Sequence, residues 1–195
     1  MKEWIQTYQG KQFYPDNPTE DMICIEDIAH GLSNICRYTG QCPEFYSVGQ
    51  HSLIVTDVIF KRTGDLTLTL EALMHDASEA YLCDIPKPLK NLLPDYQKIE
   101  DNVSQVIFDK FNITYPLDPA IKVADVEVLA KEHENFIKNV YDLKFDQGAP
   151  IELESVKIVP IINSEHVEGI FQGVFLSLIN KDESALREYL SFIWR

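Results

Sequence analysis

The chain contains few basic residues and no long apolar run. A membrane-spanning helix needs about 18 consecutive apolar residues, and no stretch of this sequence approaches that length. Only 17 of its 195 residues are Lys or Arg against 31 Asp and Glu, so the formal net charge is −14. Because so acidic a surface repels a phosphate backbone, we expect neither a membrane nor a nucleic acid as partner. A small polyanion can still bind where a local cation neutralises the site.

Cysteine is scarce and follows no metal-binding or disulfide spacing. The four cysteines form no Cys-x-x-Cys pair, so we expect reduced thiols that pack as small apolar side chains rather than a zinc site. The first residues, Met1–Gln6, lack the apolar core of a secretory signal. The sequence therefore predicts a cytoplasmic protein.

Hydrophobic residues recur at helical spacing along most of the chain. Ser47 is the expected N-cap of a helix that runs to about residue 61. The next helix is predicted over about 66–82, because Pro86 and Pro88 cannot continue it. A first helix is predicted to begin at Ile25 and to end before Gly40. Further helices are predicted over about 95–111, 118–141, 163–180 and 183–193.

This pattern predicts an all-α, single-domain helical bundle over residues 1–195. The chain is 45% hydrophobic, which is enough for one substantial core. Residues 1–22 carry Gly and Pro and read as an irregular lead-in, and 150–162 is expected to be a loop or a very short strand. The core that carries the motifs is expected over 23–140, and a helical extension over 141–195.

Three ionisable residues share one face of the predicted helix over 66–82. His75 is followed directly by Asp76, and Glu79 comes three residues after Asp76 and four after His75. Those separations put the three side chains on the same face. A buried charge is expensive unless it is paired or bound to a metal ion. One buried histidine is readily explained by packing, but three converging groups favour a functional site.

Two further polar residues lie within apolar helical stretches. His51 and Asp125 are each expected to face inward, although alone each is explained more simply as a satisfied core histidine or a paired aspartate. With His75 and Asp76 they offer two imidazoles and two carboxylates. That mixture suits a borderline divalent ion such as Mn, Fe, Co, Ni or Zn. The other histidines are expected to be structural or exposed: His30, His133 and His166. The polar stretch Lys131–Glu134 around His133 is expected to form a solvated helix face.

The order of these residues resembles a known superfamily. A lone His, then His-Asp, then a distant Asp on successive helices is similar to the HD-domain metal-dependent phosphohydrolases. Further stretches resemble its short branch, which holds bacterial 5'-deoxynucleotidases and phage deoxynucleoside triphosphate triphosphohydrolases. Those stretches are EDIAHGL at Glu26–Leu32, CRYTG at Cys36–Gly40, FYSVGQHS at Phe45–Ser52 and HDASEAY at His75–Tyr81. The resemblance covers about residues 23–140 and implies a helical bundle of the HD-domain type.

The resemblance implies a ligand set and a catalytic group. His51, His75, Asp76 and Asp125 match the residues that ligate one divalent transition metal in the superfamily. Glu79 matches its acid/base carboxylate, which positions or deprotonates the attacking water. Magnesium is an alternative ion for a polyphosphate substrate.

The resemblance also implies contacts to substrate. Arg37 matches an arginine that reads phosphate and sugar and takes part in catalysis, and Asp84 matches an aspartate that contacts the sugar 3'-hydroxyl. Tyr38 stands where the nucleotidases commonly have tryptophan, so base stacking is retained while the selectivity for the sugar is open.

Three small or basic residues near these motifs are further candidates for binding substrate. Lys90 and Lys122 are expected to clamp a polyphosphate tail, with solvated surface lysines as the alternative. Lys122 is one turn from Asp125 and is expected to point toward the same mouth. Ser78 lies inside the His75–Tyr81 motif, where contact with phosphate and simple packing explain it equally well.

The function expected from these residues is a metal-dependent phosphohydrolase acting on 2'-deoxynucleotides. A 5'-nucleotidase on deoxynucleoside monophosphates is the leading activity, and a triphosphohydrolase releasing triphosphate is the alternative. A non-catalytic, metal-dependent nucleotide sensor is the alternative of another class, and Glu79 argues against it. A cyclic-nucleotide phosphodiesterase would need more histidines. A homo-oligomer is an open expectation, with the N-terminal aromatics and Phe192–Trp194 as candidate interfaces.

Overall fold

Most segments in which hydrophobic residues recur at helical spacing form helices, and the predicted all-α, single-domain bundle is confirmed. The computed structural model describes residues 3–136, 151–154 and 157–194. A small antiparallel hairpin, β1 (Ile5–Gln6) and β2 (Gln12–Phe13), precedes the helices. The helices are α1 (Ile25–Asn34), α2 (Val48–Thr63), α3 (Leu66–Met74), α4 (Glu79–Leu82), α5 (Lys87–Lys90), α6 (Pro94–Phe111), α7 (Pro119–Phe136), α8 (Ser164–Ile179) and α9 (Glu183–Ser191).

The helix α2 forms the centre of the bundle. Each of its residues from Val48 to Phe60 is buried, and α1, α3, α7 and α8 pack around it. A polar side chain on such a helix must find its partners inside the protein. Gln50 does so through Nε2, which donates to the Val159 carbonyl, and Oε1, which accepts from the Ile161 amide.

Local signals fix the ends of α2 and the start of α3. The Ser47 hydroxyl accepts a hydrogen bond from the Gln50 amide, which confirms the predicted N-cap. Gly64 ends α2 with a left-handed φ of 64°, a conformation that costs glycine little. The Asp65 carboxylate then caps α3 by accepting from the amides of Thr67 and Leu68. The cap at Ser47 therefore anchors the end of α2 that carries His51, and Gly64 and Asp65 fix the connection between the two helices at their other ends.

The single helix predicted over 66–82 is wrong, because the chain breaks between α3 and α4. Met74 ends α3, and the next four residues form turns before α4 begins at Glu79. In a continuous helix the Ala72 carbonyl would accept from the amide of residue 76. Here the Nδ1 atom of His75 lies 2.8 Å from that carbonyl and takes its place. The break therefore lies at the histidine that was predicted to bind a metal.

Residues near both ends of the described chain pack against the rest of the protein, although the sequence suggested them as interfaces to other molecules. The lead-in contains the β1–β2 hairpin and contributes Phe13 to the core. Near the other end Ile193 is buried, and the Trp194 indole donates to Asp57 on α2 at 3.0 Å. The proposed interface at Phe192–Trp194 is thus partly used within the chain.

Other sequence predictions for this part of the chain have mixed outcomes. Residues 157–163 carry no regular secondary structure, in agreement with the predicted loop, and residues 151–153 form a 3-10 turn. The first helix ends at Asn34 rather than just before Gly40, because Arg37–Gly40 forms a separate 3-10 turn. Of the helix predicted over about 118–141, the structure describes Pro119–Phe136, and its predicted end lies outside the described residues, as does the whole stretch 137–150. Within the described residues, no helix combines the length and hydropathy needed to cross a bilayer.

Candidate metal centre

Three potential metal ligands meet at one point between α2, α3 and α7. His51 comes from the buried helix α2, His75 from the turn after α3, and Asp125 from α7. One ligand atom from each lies within 4.8 Å of the others. The Nε2 atom of His51 is 3.2 Å from Oδ1 of Asp125. Residues far apart in the sequence are therefore brought into a cluster that can hold an ion.

The fourth predicted ligand, Asp76, lies at the same point. Its Oδ2 atom is 3.1 Å from Nε2 of His75 and 3.8 Å from Nε2 of His51. The break between α3 and α4 lets Asp76 face its own neighbour, which a regular helix does not allow. The structure thus brings together all four side chains that the sequence singled out as ligands.

Both imidazoles present the same nitrogen to this point. The Nδ1 atom of His51 is 2.7 Å from the Glu132 carboxylate, and that of His75 is 2.8 Å from the Ala72 carbonyl. Since both partners are acceptors, each Nδ1 donates its proton to them. Each Nε2 is buried and has no hydrogen-bond partner among the described residues. Two oriented imidazoles beside two carboxylates fit a divalent transition metal.

The charges around the cluster support the same interpretation. Burial opposes ionisation of Asp76 and Asp125, but the adjacent His51 and His75 hold the pKa of each carboxyl below its usual value. Burial and the Arg37 charge disfavour protonation of His51, yet nearby carboxylates raise its pKa to about 9. The carboxylates around His51 therefore favour positive charge at this point, which a bound cation would supply.

A fully buried carboxylate, Glu132, lies behind the cluster and was missed by the sequence analysis. It is 0% exposed, and it accepts hydrogen bonds from four side chains: Arg37, Tyr38, Tyr46 and His51. The sequence does contain one signal for Glu132, which is its spacing from Asp125. Glu132 follows Asp125 by two helical turns, so the two side chains share a face of α7.

Glu132 is ionised despite its burial. Burial raises the pKa of the carboxyl, but Arg37 and His51 outweigh it and lower the pKa to about 2. The polar residues around His133 predict a solvated face for this stretch of α7. That interpretation is wrong for Lys131 and Glu132, which are both buried. The His133 ring is half-buried and meets the Tyr38 ring edge to face at 5.5 Å.

Glu79 lies beside the cluster in a cavity of about 210 Å³. The cavity is also lined by His75, Asp76 and Ser78. Glu79 is buried, and its Oε2 atom has no hydrogen-bond partner in the part of the chain that the structure describes. Burial and the neighbouring carboxylates raise its pKa well above the usual range for glutamate. A carboxyl with a raised pKa is suited to accept and return a proton near neutral pH.

Of the predicted substrate contacts, Arg37 lies between Glu132 and the cluster, and Tyr38 contacts Glu132. Arg37 is buried, with Nη2 3.1 Å from Glu132 and Nη1 4.0 Å from Asp76. Tyr38 donates its hydroxyl to Glu132 at 2.7 Å. A third, Asp84, follows α4, and burial raises the pKa of its carboxyl.

The two lysines predicted to clamp phosphate are both paired with carboxylates. Lys90 lines the cavity, with its ammonium 2.7 Å from Glu100 and 3.8 Å from Glu79. The side chain of Lys122 is 69% exposed, and its ammonium bonds to Asp125. Lys90 therefore faces the cavity, whereas Lys122 extends over the outer side of the cluster.

The fold and the cluster together define an all-α protein with a candidate metal centre formed by His51, His75 and Asp125, with Asp76 beside it. No family model matches the chain. The chain belongs to the family of the uncharacterized protein YfdR of Escherichia coli K12, with which it is 39% identical over 188 residues, covering 95% of this chain and 98% of YfdR. It is also 29% identical over 169 residues to the uncharacterized protein RCAP_rcc00048 of Rhodobacter capsulatus, covering 80% of this chain and 86% of that protein.

Proposed function

We propose that this protein is a metal-dependent phosphohydrolase that acts on nucleotides, with deoxynucleoside monophosphates as its main substrates. The observation that carries the proposal is the position of Glu79. This buried carboxyl with an unpaired oxygen lines a cavity together with His75 and Asp76. A site that only bound a metal ion would not need the buried carboxyl of Glu79. The resemblance of the motifs to HD-domain phosphohydrolases supports the same reaction.

Each residue has a role in such a reaction. His51, His75, Asp76 and Asp125 hold the ion, with Mn, Fe, Co, Ni and Zn as the candidates. The chemistry that a bound divalent ion supplies is polarisation of a phosphoryl oxygen and acidification of a water molecule. Glu79 accepts the proton of the attacking water.

Hydrolysis then yields inorganic phosphate and a nucleoside. The water oxygen forms a bond to phosphorus, the ester bond between phosphorus and the 5'-oxygen breaks, and the proton held by Glu79 passes to the leaving oxygen. The Nη1 group of Arg37 lies on the Asp76 side of the guanidinium, where it offers a charged donor to a phosphate oxygen. Asp84 is the acceptor proposed for the sugar hydroxyl.

The charge of the cavity favours a monophosphate over a triphosphate. Its walls include the carboxyl groups of Glu79, Glu100 and Asp101, against the single ammonium of Lys90. That ammonium is already bonded to Glu100, and Lys122 is bonded to Asp125. A triphosphate tail would meet more negative than positive charge here, and magnesium would have to accompany it.

The test measures both the products and the proton acceptor. The purified protein is incubated with Mn²⁺, Co²⁺ or Zn²⁺ and with deoxynucleoside mono- or triphosphates, and phosphate and triphosphate are separated by anion exchange. We expect phosphate release from monophosphates. Glu79→Gln should lower turnover by about 10²–10⁴-fold, the usual contribution of a general base, while Mn²⁺ binding persists. Glu183→Gln, an exposed change on α9, should leave turnover unchanged.

Other outcomes would lead to different conclusions. Release of intact triphosphate as the main product would assign a triphosphohydrolase. Nucleotide binding without turnover under any of these ions would assign a sensor. Unchanged turnover in Glu79→Gln would show that the proton acceptor is another group.

A further inference from the structure

We infer that Glu132 is a positioning residue, which fixes the metal ligand His51 and the phosphate-binding Arg37 through one buried carboxylate. The part of this inference that concerns Arg37 rests on the proposed function. The part that concerns His51 depends only on the geometry of the candidate metal centre.

The hydrogen bonds of Glu132 are divided evenly between its two oxygens. Oε1 accepts from His51 Nδ1 and from the Tyr46 hydroxyl, both at 2.7 Å. Oε2 accepts from Arg37 Nη2 at 3.1 Å and from the Tyr38 hydroxyl at 2.7 Å. Each oxygen therefore takes one hydrogen bond from a group of the site and one from a tyrosine. Since a carboxylate offers about four lone-pair positions, it is fully occupied and cannot shift toward one partner without losing another.

The bond to His51 decides which ring nitrogen faces the cluster. Because Oε1 is only an acceptor, His51 keeps a proton on Nδ1 and turns Nε2 toward Asp125. A carboxylate on the far nitrogen of a ligating histidine orients the ring and increases its basicity as a ligand. Glu132 thus acts on the ion through His51 without touching it.

The bonds to Arg37 and Tyr38 hold a turn whose backbone is unfavourable by itself. Tyr38 and Thr39 have φ values of 56° and 51°, in the left-handed region that non-glycine residues seldom occupy. Such residues persist where the surrounding structure holds them, and they are frequent at active sites. Two of the four groups on Glu132 belong to this turn. The carboxylate therefore fixes the turn that carries Arg37 as well as the ring of His51.

Stability alone is a poor explanation for this arrangement. A buried ion pair gains little over a well-packed apolar group of the same size, because both charges lose their hydration. Glu132 is fully buried, yet its partners converge from α2 and from the segment 37–46 rather than from neighbouring turns of α7. Its carboxylate therefore holds His51 and Arg37, which belong to different parts of the site, in fixed positions relative to each other.

The test separates the two roles by replacing the carboxylate with an amide. In Glu132→Gln the amide oxygen should face Arg37, because the guanidinium is a permanent cation that can only donate. The NH₂ group then faces His51 and Tyr46, which lose their acceptor. We expect the affinity for Mn²⁺, measured by calorimetry on the purified protein, to fall by about 10–100-fold, as for other residues that support a metal ligand. The downfield N–H resonance of His51 should also be lost from the proton NMR spectrum of the metal-free protein. Glu134→Gln, two residues along α7 on a half-exposed side chain, should leave both unchanged.

A second variant keeps the inference testable if Glu132→Gln fails to fold. Tyr38→Phe removes only one hydrogen bond on the Arg37 side of the carboxylate. We expect it to raise KM for deoxynucleoside monophosphates while kcat and the affinity for Mn²⁺ stay near wild-type values. Wild-type Mn²⁺ affinity and an intact His51 resonance in a folded Glu132→Gln protein would overturn the inference. The Mn²⁺ affinity and the His51 resonance are both measured without turnover. A wild-type protein that binds Mn²⁺ but hydrolyses no nucleotide would therefore refute the proposed function. The role of Glu132 toward His51 would still be decided by these two measurements.

Discussion

Gly31 on α1 packs directly against the backbone of Ala80 on α4. A Cβ atom added at residue 31 would lie 2.9 Å from the Ala80 carbonyl oxygen and 3.0 Å from its Cα atom. Because these neighbours are backbone atoms, they can give way only if α4 moves. Glu79 is the first residue of α4, so the contact between the two helices sets how far the proposed proton acceptor reaches into the cavity.

Gly31→Ala should therefore reduce stability and activity together while sparing the metal centre. Overpacking of this kind costs about 1–3 kcal/mol in the free energy of unfolding. The displaced Glu79 should lower kcat, but His51, His75 and Asp125 belong to other elements and should keep their Mn²⁺ affinity. Urea unfolding, phosphate release and calorimetry measure the stability, the kcat and the Mn²⁺ affinity.

Gly169→Ala on α8 is the matched control, since nothing lies within 4 Å of its added Cβ. It should stabilise the helix by roughly 0.5–1 kcal/mol, and equal losses in both variants would contradict the explanation.

Removal of the metal should lower the thermal stability of the protein. An ion that binds only the folded state stabilises it by about 2.7 kcal/mol at a concentration 100 times its Kd. For a chain of this size that corresponds to a change in Tm of roughly 5–10 °C. We expect Mn²⁺ to raise Tm by this amount and a chelator to reverse it.

The same measurement identifies the ligands. His75→Ala removes one of the two buried Nε2 atoms, so the response of Tm to Mn²⁺ should disappear. His166→Ala replaces an exposed histidine on α8 and should retain the full response. A Tm that ignores Mn²⁺ in the wild-type protein would argue against the metal centre itself.

Tyr46→Phe tests how much the hydrogen bonds on Glu132 contribute to stability. The hydroxyl of Tyr46 is buried and donates to Glu132 at 2.7 Å. Removing a hydrogen bond to a charged group costs about 1.5–3 kcal/mol, so the midpoint of urea unfolding should fall. Tyr14→Phe removes a hydroxyl whose hydrogen bond, to Gln12, is exposed. It should change the free energy of unfolding by less than about 0.5 kcal/mol. If the two variants unfold alike, the carboxylate does not depend on Tyr46.

The parts of the site that were predictable are those with a local pattern. His51 lies within a continuous apolar helix, so its inward position follows from periodicity. His75, Asp76 and Glu79 are neighbours in sequence and lie close together, although the helix that was expected to place them on one face is broken between them. The cap at Ser47 was equally local. The four candidate ligands could therefore be selected before any long-range contact was known, although their roles remain proposals.

The parts that could not be predicted depend on distant partners. Glu132 is surrounded in sequence by polar residues, which suggested a solvated face. Its partners Arg37, Tyr38 and Tyr46 are between 86 and 95 residues away, so no local pattern reports its burial. The break after α3 was missed for a related reason. Helix propensity treats His75 as an ordinary helical residue, whereas here its imidazole takes the hydrogen-bonding position of a backbone amide.

The pairing of Lys90 with Glu100 should govern the choice between monophosphate and triphosphate. The Lys90 ammonium is 2.7 Å from Glu100 and 3.8 Å from Glu79, so its charge is largely neutralised inside the cavity. Glu100→Gln removes one negative charge and releases the ammonium for a phosphate tail. A Coulombic gain of about 1 kcal/mol is reasonable for a half-buried pair at a high effective dielectric constant. We therefore expect kcat/KM for a deoxynucleoside triphosphate to rise about fivefold relative to the monophosphate.

Asp95→Asn is the control for this change, because it removes a negative charge from the same helix at a fully solvated position. Asp95 pairs with Lys98 on the surface, and its side chain is 92% exposed. At an ionic strength of about 0.15 M the Debye length is about 8 Å, so a solvated charge outside the cavity is largely screened from the substrate. The substrate preference should then change in Glu100→Gln and stay constant in Asp95→Asn. An equal change in both variants would mean that the overall acidity of the protein, rather than the pair in the cavity, disfavours triphosphates.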